Sequence, residues 1–176
     1  MKKASLIFLM MVLMITMIIP AGIVKASSPI IEVSGDFILT FIRFGEVKQV
    51  GNNPVWLGKG WTQQLTYTGE FQAIGTNLLD FRWNTKSMAF NSLGTATYEG
   101  PVTIKGTIYQ GGFTSRIGHQ GFDEGPGGIG WCRIDETIIA GTGDLANLHG
   151  IMHFTVERQP DGSWTGIYSG KLHFGP

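Results

Sequence analysis

The sequence predicts an all-β domain, folded as a single antiparallel β-barrel of about eight strands. The chain has 176 residues, of which 26 are glycine, and it is rich in Phe, Trp, Thr and Ile, a composition typical of strands joined by tight turns. Short segments with apolar residues at every second position recur between turn signals. After residue 26, no window of ten or more residues repeats its apolar positions with a helical period. We therefore expect at most one helical turn.

The first 26 residues have the pattern of a secretory signal peptide. Lys2 and Lys3 precede an apolar run over residues 4–19, which a proline and a glycine end. Small residues then stand where a signal peptidase reads the chain, and we expect cleavage after Ala26. This leaves residues 27–176 as one β-barrel domain that is secreted or otherwise extracytoplasmic. The alternative is an uncleaved segment of nearly spanning length, which would anchor the chain in a membrane.

Charge and cysteine content exclude some classes of function. Residues 27–176 contain 10 basic and 13 acidic side chains, so their net charge is −3. No basic patch is present, and we expect no nucleic-acid partner. Cys132 is the only cysteine, so the chain has no internal disulfide and must obtain its stability from packing.

The predicted strands are bounded by turns rich in Gly, Asn and Pro. Residues 45–60 are expected to form a long connection, residues 121–130 a glycine-rich loop at the barrel mouth, and residues 144–148 the helical turn. The predicted strands are 32–44, 62–71, 78–83, 95–98, 102–110, 113–120, 131–140, 151–158 and 165–174.

Alternation assigns the faces of these strands. Met152, Phe154 and Val156 share one apolar face, whereas the intervening residues are mostly polar. The first strand differs, because residues 37–44 are apolar on both faces. A strand of that kind needs cover on its outer side, from loops or from a second copy of the chain. We therefore expect a homo-oligomer.

A glycine-rich corner, Gly141-Thr-Gly-Asp-Leu-Ala-Asn-Leu-His-Gly150, joins two apolar strands. Together with Tyr98-Glu-Gly-Pro-Val102 and His119-Gln-Gly121, it resembles an uncharacterised bacterial family of the allene oxide cyclase-like and dirigent-like barrel superfamily. The resemblance covers Tyr98 to Phe174. It implies an eight-stranded antiparallel barrel with an apolar cavity, often oligomeric, which sometimes binds or cyclises a small hydrophobic molecule. The cyclase's catalytic residues are not carried over, because its motifs do not match this chain residue by residue.

His119, Cys132 and Glu136 are the candidate catalytic residues. Matching the apolar faces of strands 113–120 and 131–140 places His119 opposite Cys132, with Glu136 further along the same wall. A histidine could lower the pKa of the thiol and make it a nucleophile, and a carboxyl group in an apolar cavity could act as a general acid or base. In the competing interpretation, the thiol is an inert core group, the histidine is hydrogen-bonded at the rim, and the glutamate points outward through a bulge.

Four aromatic residues are the candidate ligand-binding residues: Trp56, Trp61, Phe122 and Trp131. Each lies in or beside a connection that is expected at a barrel mouth. Aromatic side chains in that position suit an amphipathic ligand, although they also serve to pack across a barrel end.

The histidines do not predict a metal site. His149 and His153 would lie about 13 Å apart on a strand, too far to share one ion. Pairing of the last two strands places His149 opposite His173, and this pair could bind a metal with a third ligand. Both histidines lie on the polar face, however, which favours a solvated strand surface. We predict no metal and no cofactor.

Three functional hypotheses follow. In the first, an exported barrel binds a small apolar ligand in its interior. In the second, a cyclase or isomerase uses the interior His119, Cys132 and Glu136 set. In the third, a structural or cell-surface module assembles through its doubly apolar first strand.

Overall fold

The computed structural model describes residues 28–125 and 127–175; the predicted signal segment therefore lies outside the described residues. In the described part, no helix has the length and apolarity needed to cross a bilayer. A 3₁₀ turn over Gly143–Leu145 agrees with the predicted helical turn. The strands are β1 (Ile31–Arg43), β2 (Glu46–Gln49), β3 (Val55–Tyr67), β4 (Phe71–Asn84), β5 (Ala89–Tyr98), β6 (Val102–Ile104), β7 (Thr107–Tyr109), β8 (Phe113–Asp123), β9 (Gly130–Gly141), β10 (Leu148–Arg158) and β11 (Trp164–Phe174).

Eight of these strands form a closed antiparallel barrel. Their order around the barrel is β3-β1-β11-β10-β9-β8-β5-β4, and β4 pairs back with β3 to close it. Strand β2 extends the sheet beyond β3, and the β6–β7 hairpin pairs with the start of β4. The predicted fold class, an all-β antiparallel barrel of eight strands, is confirmed.

Side chains alternate between the barrel interior and solvent along every long strand. Met152, Phe154 and Val156 are buried, as the alternation predicts, and so are Trp164 and Tyr168 of the next strand. The core therefore lies inside the barrel and consists of the inward-facing residues of all eight strands.

One half of the interior, which we call the packed half, is filled by stacked and edge-to-face aromatic rings. Tyr67 lies 5.1 Å from Phe37 and 5.2 Å from Phe71 between ring centroids, and Tyr98 stacks on Phe113 at 4.1 Å. Gly75 makes room for this packing, because a Cβ there would lie 2.3 Å from the Tyr98 ring. Fully buried aromatic rings of this kind supply much of the hydrophobic stabilisation.

The prediction of a long connection over residues 45–60 was wrong. Strand β2 and the first half of β3 form a hairpin there. The error has a physical cause: β2 is exposed on both faces and so shows no alternation, and two glycines interrupt β3. Gly58 is required, because a Cβ at this position would lie 1.9 Å from the Phe81 ring.

The predicted strand over residues 102–110 is two short strands. Lys105 and Gly106 both have positive φ, 47° and 82°, and they form the two-residue turn between β6 and β7. Positive φ at both positions is typical of the tight turns that suit the twist of a hairpin. A lysine is not a residue type that predicts such a turn.

The boundary between β3 and β4 also differs from the prediction. Phe71 begins β4, whereas it was predicted to end the preceding strand.

The outer face of β1 carries exposed isoleucines, as the alternation predicts. Phe37 and Leu39 point into the barrel, whereas Ile38 and Ile42 face solvent. Within the described residues, these outer side chains are exposed to solvent. The homo-oligomer that would cover them stays a prediction.

Candidate functional site

The other half of the interior, which we call the open half, contains a cavity of about 500 Å³ that opens at the barrel end. This volume lies within the range of pockets that hold drug-sized ligands. Most of its wall is apolar. Its aromatic side chains come from five strands around the barrel and from the turn after β1: Phe41, Phe44, Trp61, Phe81, Trp83, Phe90 and Trp164.

The aromatic wall is held by contacts between its own rings. Trp61 packs edge-to-face on Phe81 at 4.6 Å and on Phe44 at 4.8 Å between ring centroids. Phe90 packs on Trp164 at 5.9 Å. These ring pairs fix the wall without filling the cavity, so an apolar ligand would meet a preformed surface.

His119 lies in the wall and is buried. It faces Ser92 on the neighbouring strand, and its Nδ1 lies 2.7 Å from the Ser92 Oγ. Burial lowers the pKa of His119 to about 4, because the charged imidazolium loses its hydration inside the barrel. The ring is therefore neutral at physiological pH.

Cys132 also lines the cavity, but it does not lie opposite His119. Strand β8 pairs with β9 so that His119 faces Ile134 and Cys132 faces Gly121. The predicted pairing was wrong by two residues, because a shift of two residues keeps every side chain on the same face and the matching of apolar faces does not detect it. Burial raises the pKa of the Cys132 thiol to about 12. A thiol that stays protonated at neutral pH is a weak nucleophile.

Glu136 lies in the packed half, separate from the cavity wall. It points inward and is fully buried, so the competing interpretation, an outward glutamate, does not apply. The hydroxyls of Tyr67 and Ser115 donate to its two carboxyl oxygens, and the Tyr67 hydroxyl lies 3.1 Å from that of Tyr98. Burial raises the pKa of Glu136. His119, Cys132 and Glu136 thus all face the interior, but only the first two share the cavity.

Of the four aromatic candidates for ligand binding, Trp61 lines the cavity. Trp56 lies on β3, half-buried, opposite Trp83 of β4. Phe122 and Trp131 form a cross-strand pair on the outer side of the barrel, and Trp131 is 48% exposed. Alternation explains why these two side chains face outward. Gly121 precedes Phe122 and Cys132 follows Trp131, and both of these neighbours lie on the inward face.

The mouth of the cavity carries a partly buried ion pair that was not identified from the sequence. Arg158 Nη1 lies 2.6 Å from Asp123 Oδ1. The backbone carbonyl of Asp123 accepts a hydrogen bond from Trp83 Nε1 at 3.2 Å. The pair therefore ties β10 to the end of β8 beside the opening, and each charge has its partner.

Polar residues of the interior were also missed. Asn77 is fully buried, and its Nδ2 donates to Gln63 Oε1 at 3.0 Å. Gln63 and Ser92 both line the cavity. The alternation of β4, from Phe71 onward, would have placed Asn77 inside had the start of the strand been predicted correctly.

The remaining histidines lie on the outside. His149 faces His173, as predicted, and their rings stack at 5.4 Å. Within residues 28–125 and 127–175, no group of three His, Cys, Asp or Glu side chains is arranged to hold a metal ion.

Fold and cavity together define a closed antiparallel β-barrel with a ligand-sized cavity at one end. The chain is similar to a solved structure of a protein with unknown function from the DUF3224 family, from Shewanella oneidensis. The TM-score is 0.61 and the identity 19%, over 84% of this chain and 99% of that chain. No family model matches the chain, and no curated protein matches it either. At this identity the likeness shows the fold alone, so the allene oxide cyclase-like resemblance stays a prediction.

Proposed function

We propose that the protein is an exported barrel that binds a small, largely apolar molecule in the cavity of the open half. The observation that carries this proposal is the cavity itself: about 500 Å³, with an aromatic wall, inside a barrel whose other half is filled. A ligand of matching shape would exchange the contact of these apolar walls with water for dispersion contacts with its own apolar surface. Burial of the ligand's own apolar surface would add to the affinity.

Binding is better supported than catalysis by the geometry of the interior. A nucleophilic mechanism needs a thiolate beside its base, whereas burial raises the pKa of the Cys132 thiol to about 12. The carboxyl group of Glu136 is hydrogen-bonded inside the packed half and does not line the cavity. We therefore propose a binding protein, with His119 as a recognition group and Cys132 as part of the wall.

A fluorescence titration tests this proposal. N-phenyl-1-naphthylamine is uncharged and fluoresces more strongly in apolar surroundings. We expect it to bind with 1:1 stoichiometry, and we expect Cys132→Phe to abolish binding by filling the cavity. Ile167→Phe is the matched control, because Ile167 is exposed on the outer face. Unchanged binding in folded Cys132→Phe protein would contradict the proposal. Native mass spectrometry of the purified protein would also reveal a retained ligand.

The exposed apolar residues of the outer face favour a second candidate function, assembly with further copies of this chain. Ile74, Leu78 and Leu93 lie on the neighbouring strands β4 and β5 and are 61%, 58% and 71% exposed. Apolar patches of this kind often mark interfaces. We expect sedimentation equilibrium to show an oligomer that Leu93→Lys dissociates. A wild-type monomer at micromolar concentration would rule this candidate out.

A further inference from the structure

Two side chains at the cavity each have a buried nitrogen atom without a hydrogen-bond partner among the described residues: Trp61 Nε1 and His119 Nε2. Both side chains line the cavity. Buried polar atoms are nearly always paired, so each unpaired atom in a native structure calls for an explanation. A ligand that supplies the missing partner would provide one.

The hydrogen-bond partner of His119 determines which of its nitrogens carries the proton. The neutral ring has one donor and one acceptor nitrogen. When the Ser92 hydroxyl donates to Nδ1, over the observed 2.7 Å, both groups are satisfied and Nε2 carries the proton. With the other tautomer, the Ser92 hydroxyl proton would have no acceptor among its described contacts. On this assignment of the tautomer, His119 Nε2 is a hydrogen-bond donor.

The indole nitrogen of Trp61 is also a donor, because it has no acceptor capacity. The two donors lie on β3 and β8, which β4 and β5 separate in the barrel wall. Trp61 packs on Phe81, Phe81 pairs with Ser92 across β4 and β5, and Ser92 pairs with His119 across β5 and β8. The wall thus combines an apolar surface with two neutral N–H groups.

The charged groups at the cavity do not favour a charged ligand. Asp123 and Arg158 neutralise each other at 2.6 Å. Asp161 lies in the exposed turn at the rim and accepts hydrogen bonds from Ser163. A buried carboxylate or ammonium group would therefore lack a free counter-charge, and its desolvation would be costly.

We propose that the cavity recognises an uncharged, mostly apolar molecule through an acceptor oxygen, such as a ketone or ester carbonyl, which accepts a hydrogen bond from Trp61 Nε1 or His119 Nε2. The apolar body of the ligand packs on the ring of Phe81 and the other aromatic side chains. This inference rests on the proposed function, because it requires that the cavity takes a ligand.

A matched pair of probes tests the inference. 2-Acetylnaphthalene carries a carbonyl, and 2-isopropylnaphthalene has the same number of heavy atoms without it. We expect Trp61→Phe or His119→Phe to weaken binding of the ketone by about 3- to 10-fold, the range for one hydrogen bond. Binding of the hydrocarbon should change less than twofold. Trp83→Phe is the control. The indole of Trp83 also lines the cavity, but its nitrogen already donates to the Asp123 carbonyl. The ratio of the affinity for the ketone to the affinity for the hydrocarbon should therefore equal that of the wild type.

If neither Trp61→Phe nor His119→Phe changes the ratio of the two affinities, the inference is wrong, whereas the proposed function is unaffected. Tighter binding of the anion 2-naphthoate than of the ketone would contradict the inference that the ligand is uncharged. Failure of the ketone and the hydrocarbon alike to bind would remove the proposed function as well. The carbonyl stretching frequency of bound ketone gives a second readout, which we expect to be lower in the wild type than in a folded Trp61→Phe, His119→Phe double variant.

Discussion

The two halves of the barrel interior are built from the same alternating strands, but they differ in whether their buried polar groups have hydrogen-bond partners. In the packed half, the carboxyl group of Glu136 receives hydrogen bonds from Tyr67 and Ser115, and aromatic rings fill the surrounding space. In the open half, Trp61 Nε1 and His119 Nε2 lack partners, and the rings surround a cavity. The comparison indicates that the packed half serves mainly stability, and our proposal assigns recognition to the open half.

The largest expected effect is the loss of an aromatic ring from the packed half. Phe37 is fully buried between Tyr67 and Phe154, so we expect Phe37→Ala to lower the free energy of unfolding by about 3–5 kcal/mol. Phe90 borders the cavity and is only partly buried, and Phe90→Ala should cost about 1 kcal/mol. Urea denaturation measures both. Equal losses would mean that the two halves do not differ in packing.

The open half should make the protein sensitive to acid through His119. Its pKa is lowered to about 4 from an ordinary 6.5, so the unfolded chain binds a proton first as the pH falls. The contribution of neutral His119 to stability is therefore fully present above pH 6.5. It decreases as the pH falls from 6.5 to 4, by about 3 kcal/mol in total. Urea denaturation across this range should show a smaller loss for His119→Gln. Parallel curves for the two proteins would argue against a neutral, buried imidazole.

The packed half should respond to pH in the opposite direction, through Glu136. Burial raises the pKa of its carboxyl group above the ordinary 4.5, so the folded protein keeps the proton longer than the unfolded chain does. The stabilising effect is greatest at low pH and decreases as the pH rises from 4.5 through the raised pKa, by at most about 1.4 kcal/mol per pH unit. Glu136→Gln cannot ionise and should remove this decrease. A wild type that gains stability relative to Glu136→Gln over this range would contradict the assignment.

The smallest expected effect is on the outer face, outside both halves. Trp131 was predicted to contact the ligand, but its side chain is on the solvent side of β9. We expect Trp131→Ala to leave the affinity for 2-acetylnaphthalene unchanged within twofold, whereas Trp61→Phe weakens it. Titration of each variant with 2-acetylnaphthalene measures both affinities. A large effect of Trp131→Ala would place the ligand outside the barrel.

The fold could be predicted from the sequence because alternation is a local property of each strand. Alternation also distinguishes Cys132, which points inward, from its neighbour Trp131. The site could be predicted only in part, because it depends on register. A register shifted by two residues leaves each side chain on its face, so alternation alone does not distinguish the observed pairing, in which His119 faces Ile134, from the predicted one.

The environment of Glu136 was also not predictable from its own strand. Its hydrogen-bond partners, Tyr67 and Ser115, come from β3 and β8. A buried carboxyl group is acceptable only when such partners are present. The matching of apolar faces therefore gave the wrong register at the point where a polar residue is accommodated inside the barrel.

A crystal structure of the protein grown with 2-acetylnaphthalene tests the central claim most directly. We predict electron density for the ligand in the open half, with its carbonyl oxygen within hydrogen-bond distance of Trp61 Nε1 or His119 Nε2. Side chains that fill the cavity, or a ligand bound only on the outer face, would contradict the proposal that the open half is a binding site.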